Sequence, residues 1–294
     1  MGTSDKCQIG ESNQSAGGKP LSIRLRDMKS GRARMKPTDP PANKSSPFAA
    51  APCRGLSLSR WASAVMASPS ITLPSTLTLR ARWFSLLEFA AGVFVVVGHN
   101  IFRILPNEVP ILFILGWISL RLRNGGWKYA GLGRPKSWWK TVALALLAAA
   151  ILLLGSELLV EPLAHRIWPE PEHVSNVIES GGAGWSQALT NLLIVWVFAA
   201  FGEELSYRGY LLARAAEVLG RSNLAYWAAM IVVSVLFGFG HYYKGPSGVL
   251  DSTYSGLVLG TAYVLSGCNL WTPILTHGIA DTVAVFVVFM GWAH

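Results

Sequence analysis

The sequence predicts an all-α fold: a polytopic bundle of about seven membrane-spanning helices around a polar intramembrane cavity. Three observations predict it. Of the 294 residues, 51% are hydrophobic and only 14% are charged, with a mean hydropathy of +0.38; soluble domains carry about a quarter charged residues. Apolar stretches near the roughly 20 residues a spanning helix needs recur from residue 84 to the end. Ionisable side chains recur inside those stretches, where each costs about 2.5–3.5 kcal/mol on insertion scales, so they are expected to face one another rather than lipid.

The net charge of +9 is unevenly placed. Residues 1–82 hold 13 Lys/Arg against 4 Asp/Glu, and residues 83–294 hold 12 of each. The basic character therefore belongs to the amino-terminal segment, and nothing in the apolar part points to nucleic acid. Residues 1–82 are rich in Ser, Pro, Gly, Lys and Arg without apolar periodicity, and read as a disordered basic tail. A targeting segment and an over-called start codon, with Met66 as the true one, are the two explanations weighed for it. Residues 83–294 read as a single transmembrane domain. Cys7, Cys53 and Cys268 show no metal or disulfide spacing and are read as structural or incidental.

The spans are placed at 84–104, 109–121, 140–160, 187–218, 224–242, 252–267 and 270–291. The second is short for a crossing, and the fourth is long and interrupted by glutamates. Gly256 and Gly260 in the sixth suit close helix packing. Arg121 to Lys140 holds six basic residues and no acid, so that loop is expected on the cytoplasmic side. Glu161 to Trp185 holds four glutamates against Arg166 alone, which places it outside and the amino terminus inside. Glu203 then lies about 24 Å from one end of its span and His241 about 21 Å from the opposite end of its own, at 1.5 Å per residue. Across a core of about 30 Å these depths do not coincide.

Three motifs carry the chemistry. In Phe201-Gly202-Glu203-Glu204-Leu205-Ser206-Tyr207-Arg208, two adjacent carboxylates follow a run without charge from Ala188 to Phe201. Glu204 and Arg208 are one helical turn apart in the favourable order for an ion pair. Glu203 is left without a local partner, which makes it a candidate general base. The alternative is a structural salt bridge with one glutamate snorkelling to the interface. Phe237-Gly238-Phe239-Gly240-His241 closes the fifth span. His277 and Asp281 share one face of the seventh, where an aspartate can orient an imidazole or both can hold a metal. Separate packing explanations for Glu203, Glu204, His241, His277 and Asp281 are harder to accept than one shared cavity. Glu88 and Glu157 show no such company, and His99, near the end of the first span, is left out of the site.

Glu203-Glu204-x-x-x-Arg208, Phe237-x-x-x-His241 and His277-x-x-x-Asp281, in this order on successive helices, resemble the CPBP intramembrane protease family. That family includes type II CAAX prenyl endopeptidases and bacteriocin self-immunity (Abi) proteins. The resemblance covers about residues 125–291, with the motifs within 200–282, and includes Gly131-Leu132-Gly133-Arg134-Pro135 before the third span. It implies an endopeptidase with a conical water-filled cavity. Glu203 and His241 would activate a water, His277 and Asp281 would stabilise the oxyanion, and Arg208 would hold Glu204. Asp281 stands where the prenyl-endopeptidase branch has asparagine. An ionised aspartate cannot donate to an oxyanion, so it would orient His277 or bind a metal. Zn²⁺ held by Glu203, His241 and His277 is the metal reading, since the family is often labelled a metalloprotease.

The expected activity is hydrolysis of a peptide bond in a membrane-associated or lipidated protein or peptide, in the lipid bilayer of a bacterial inner membrane. The alternatives are a non-proteolytic scaffold or self-immunity protein, and an ion-coupled transporter. The transporter would favour an inverted repeat, which the halves do not show. The sequence leaves the substrate's identity and the oligomeric state open.

Overall fold

The computed structural model describes residues 79–123, 125–168 and 184–292, all within one unit of the chain, Ser45–His294. The reading of the amino-terminal tail as disordered falls on residues outside these, apart from residues 79–82. Those four belong to the first helix, Leu79–Asn100.

Every described element is helical, and no strand occurs among the described residues. Helix α1 is Leu79–Asn100 and α2 is Glu108–Leu122. The α2 start is set by Asn107, whose side chain accepts a hydrogen bond from the Val109 N–H at 2.9 Å. Pro110 falls within the first turn, where its missing N–H has no intrahelical partner to lose. Helix α3, Trp138–Gly155, passes through a π-helical turn, Ser156–Val160, into α4, Glu161–Ile167. Helix α5, Trp185–Ile194, continues as a π-helical stretch, Val195–Leu212, and ends in α6, Ala213–Val218. Ser222 caps α7, Asn223–Phe239, by accepting from the Ala225 N–H at 3.1 Å. A 3₁₀ turn, Tyr242–Lys244, leads into α8, Gly245–Leu265, and α9 is Trp271–Phe289. Gly245 at φ 79° supplies the left-handed residue at the start of α8.

Each of the seven expected segments coincides with a helical rod, but not every rod is long and apolar enough to count as a membrane span. Among the described residues, four rods are long and apolar enough to cross a membrane: Leu79–Asn100, Trp138–Ile167, Trp185–Val218 and Trp271–Phe289. A fifth is reached if Asn223–Phe239 and Tyr242–Leu265, bent by 54°, count as one broken span. Helix α2 has 15 residues and α7 has 17, short of about 20.

The long rod through Val195–Leu212 lies against α2, α7 and α9. Leu270 faces Gly209, Trp196 lies on Gly278, and Trp185 stacks on Phe289 with centroids 4.6 Å apart. Helix α9 therefore runs antiparallel to the rod. Glycines let α7 and α8 approach closely: a Cβ on Gly256 would stand 3.0 Å from the Ser234 backbone, and one on Gly260 would stand 2.5 Å from Met230. The core between these rods is built on Tyr207, Leu205, Leu211, Phe237 and Ile274.

The long rod has 34 residues, about 50 Å at 1.5 Å per residue, so it far exceeds a core of about 30 Å. Helix α7 ends beside Tyr207, whose ring centroid lies 4.9 Å from that of Phe237. The start of α2 reaches the rod there, with the Ser206 hydroxyl 3.4 Å from the Val109 carbonyl.

A clasp ties α1, the end of α2 and α6 together. Glu88 pairs with Arg123, and Glu217 lies 3.1 Å from Arg214 and accepts from Ser85 at 2.7 Å. Glu88, expected to be without company, is thus part of a buried network of two acids and two arginines.

Candidate active site

The π-wound rod presents Glu203 and Glu204 to different neighbours. Glu204 is fully buried, and its Oε1 accepts from Arg208 Nη1 at 2.8 Å. The arginine is itself anchored by the Gly256 carbonyl at 3.2 Å and by the Phe237 ring, 4.6 Å from the guanidinium carbon. The ion pair expected from the i, i+4 spacing is therefore present.

Helix α9 brings in the second group. His277 Nδ1 stands 3.0 Å from the same Glu204 oxygen, and its Nε2 stands 3.4 Å from Asp281 Oδ2. Both ring nitrogens face carboxylate oxygens, an arrangement satisfied when both carry hydrogen. Gly278 follows His277 and accepts the Trp196 ring, whose Nε1–H donates to Thr282 at 3.1 Å. This packing fixes the turn of α9 that carries the imidazole.

Glu203 is the uncommitted member. Its Oε2 is buried and has no hydrogen-bond partner. It lies within electrostatic reach of His277, Asp281, Glu204 and Glu108. A carboxylate oxygen buried without a partner departs from the rule that such groups are satisfied, and marks a place where a water or substrate group fits.

His241 stands at the end of α7. Its Nδ1 donates to the Phe237 carbonyl at 3.0 Å, which fixes the ring and leaves Nε2 for other work. It is in electrostatic reach of His277. Phe237 separates the two imidazoles, with centroids 4.8 Å from His241 and 6.3 Å from His277. The structure therefore joins Glu204, Arg208, His277 and Asp281 by direct contacts, and sets Glu203 and His241 beside them without a hydrogen bond to that group.

The metal reading fits this arrangement poorly. Among the described residues no group of three His, Cys, Asp or Glu side chains is placed to hold a metal ion. His277 already turns Nδ1 to Glu204 and Nε2 to Asp281, at 3.0 and 3.4 Å.

Three neighbours were not legible as site residues. Glu108 and His99 approach from α2 and α1, with His99 Nε2 3.1 Å from Glu108 Oε2. Tyr207, inside the first motif, is buried with its hydroxyl unpartnered. Asn107 followed by an acid was a capping signal that would have started α2 at Glu108 and brought that carboxylate into view.

No curated protein and no solved structure matches the chain. One family model does, over a third of the length, and its limits take in all three motifs, from the start of α5 to two residues past Asp281. Residues 185–283 match the family described as type II CAAX prenyl endopeptidase Rce1-like, a match consistent with the CPBP family and, at family level, with a CAAX-type protease.

Proposed function

We propose that the chain is an intramembrane endopeptidase that hydrolyses a peptide bond in a membrane-associated or lipidated protein. The observation that carries the reading is the split between the two adjacent glutamates. Glu204 is pinned by Arg208 and His277, whereas Glu203 keeps a buried oxygen without a partner beside the same imidazole.

In this reading Glu203 takes one proton from a water held between it and His241 Nε2, and the water oxygen attacks the peptide carbonyl. The oxyanion forms near His277 Nε2–H, which exchanges its long contact with Asp281 for the developing charge. Glu203 then passes the proton to the departing nitrogen, the C–N bond breaks, and the new carboxylic acid gives its remaining proton to the amine as carboxylate and ammonium leave. Glu204 and Arg208 orient the imidazole; Asp281 keeps its Nε2 supplied with hydrogen. No step is routed through a metal.

The family's name points to substrates ending in a prenylated cysteine followed by three residues. We place the protein in a bacterial inner membrane with the basic Arg121–Lys140 segment and the amino terminus on the cytoplasmic side. The test uses the purified full chain in liposomes with a fluorogenic peptide carrying a farnesylated cysteine four residues from a free carboxyl end. The expected products are the carboxyl-terminal tripeptide and the lipidated remainder, identified by mass. Glu203→Ala and His241→Ala should both abolish cleavage at normal expression. Full cleavage by both variants would overturn the protease reading and leave a scaffold or self-immunity role.

A further inference from the structure

Glu108 opens α2 at the level of Glu203, outside the matched stretch, and the reaction above does not use it. Its Oε2 faces His99 Nε2 at 3.1 Å, and its side chain is only 10% exposed. His99 turns Nδ1 to the Leu105 carbonyl at 3.0 Å. A carbonyl only accepts, so Nδ1 carries a hydrogen, and the Nε2–Glu108 contact closes through one further proton held between those two atoms. The carboxylate is thus held in place by the segment that joins α1 to α2.

The other Glu108 oxygen lies toward Gly240, the residue before His241. A Cβ on Gly240 would stand 3.6 Å from Glu108 Oε1 and 2.6 Å from the Tyr207 hydroxyl. The absence of a side chain there is what lets the two groups approach the same space. Tyr207 lies in electrostatic reach of Glu108 first and Glu203 second, and Tyr243 is in reach of both acids. Tyr207 Oη and Glu203 Oε2 are both buried without a hydrogen-bond partner. The phenol and the Glu108 carboxylate meet at Gly240, and Glu203 lies four residues before Tyr207 on the same rod, so one water that accepts from the phenol and donates to both carboxylates fits the three groups.

We infer that Glu108, held by His99, is a positioning residue that fixes the Glu203 carboxylate through one water shared with Tyr207. Glu203 Oε2 is then engaged, and Oε1 is left for the attacking water. Glu108 exchanges no proton in this role. The inference rests on the proposed hydrolysis and adds to it a residue from the amino-terminal half of the bundle.

The test measures kcat and KM separately on the farnesylated peptide in liposomes. Glu108→Ala is expected to lower kcat about tenfold with KM within about twofold, the loss of one water-mediated contact. Glu108→Gln keeps an acceptor oxygen and should recover most of the rate. Tyr207→Phe should match the alanine variant, and Glu108→Ala with Tyr207→Phe should lose no more than either alone, because both act through one water. An unchanged kcat in Glu108→Ala, no recovery with glutamine, or losses that multiply in the double variant would each overturn the inference. If Glu108→Ala fails to fold, Tyr207→Phe decides alone: a tenfold drop at constant KM supports the inference and an unchanged kcat overturns it. An inactive wild type would instead defeat the hydrolase reading. An inactive Glu203→Gln beside a fully active Glu108→Ala would defeat only the present inference.

Discussion

Replacing Arg208 by methionine removes a charge and keeps most of the side-chain volume. Arg208 and Glu204 are 1% and 0% exposed and stand 2.8 Å apart, so solvent and salt screen them little. Breaking a buried pair by deleting one partner leaves the other charge uncompensated and costs about 3–5 kcal/mol. Glu204 would keep only His277, at 3.0 Å. Arg208→Met is therefore expected to lower stability by about 3–5 kcal/mol. Adding Glu204→Gln removes the stranded charge while preserving an acceptor for His277. The double variant should recover to within about 2 kcal/mol of the wild type, since neutral replacement of buried pairs is often nearly neutral. The assay is equilibrium unfolding of the purified chain in mixed micelles with rising SDS fraction, followed by the fluorescence of its 12 tryptophans. A single variant within 1 kcal/mol of the wild type, or a double variant worse than the single, would refute this reasoning.

Gly278→Ala is expected to destabilise by about 1–3 kcal/mol, because a Cβ there stands 2.6 Å from Trp196 ring carbons. Trp196→Leu in the same chain should relieve it, measured by the same unfolding. Glu217→Gln removes one acid from the clasp that holds Ser85 at 2.7 Å and Arg214 at 3.1 Å. It should cost about 3–5 kcal/mol and leave the KM of the remaining folded enzyme unchanged. Treatment of the purified enzyme with EDTA or 1,10-phenanthroline should change peptide cleavage by less than about twofold, because no three site residues form a ligand set. A large loss restored by zinc would return Glu203, His241 and His277 to the role of metal ligands.

What the sequence revealed follows from the range of its signals. The Glu204–Arg208 pair and the His277–Asp281 face are four-residue relations, and helical periodicity exposes them directly. Hydrophobicity located all seven rods and marked the second as short, a helix of 15 residues. The Glu204–His277 contact joins residues 73 apart, and no local rule predicts it. His99 was set aside as an end-of-helix histidine, and Glu88 as an isolated acid. Their partners, Glu108 for the one and Arg123 and Arg214 for the other, come from other helices, so packing decides them. Nothing in the residue pattern announces the π winding of Val195–Leu212.

The most direct measurement is the cleavage rate of Glu203→Gln relative to wild type, at equal amounts of folded protein in liposomes, with the farnesylated peptide. If Glu203 takes the proton of the attacking water, the rate falls about 10²–10⁴-fold while peptide binding persists. A glutamine variant that cleaves at the wild-type rate would contradict the account.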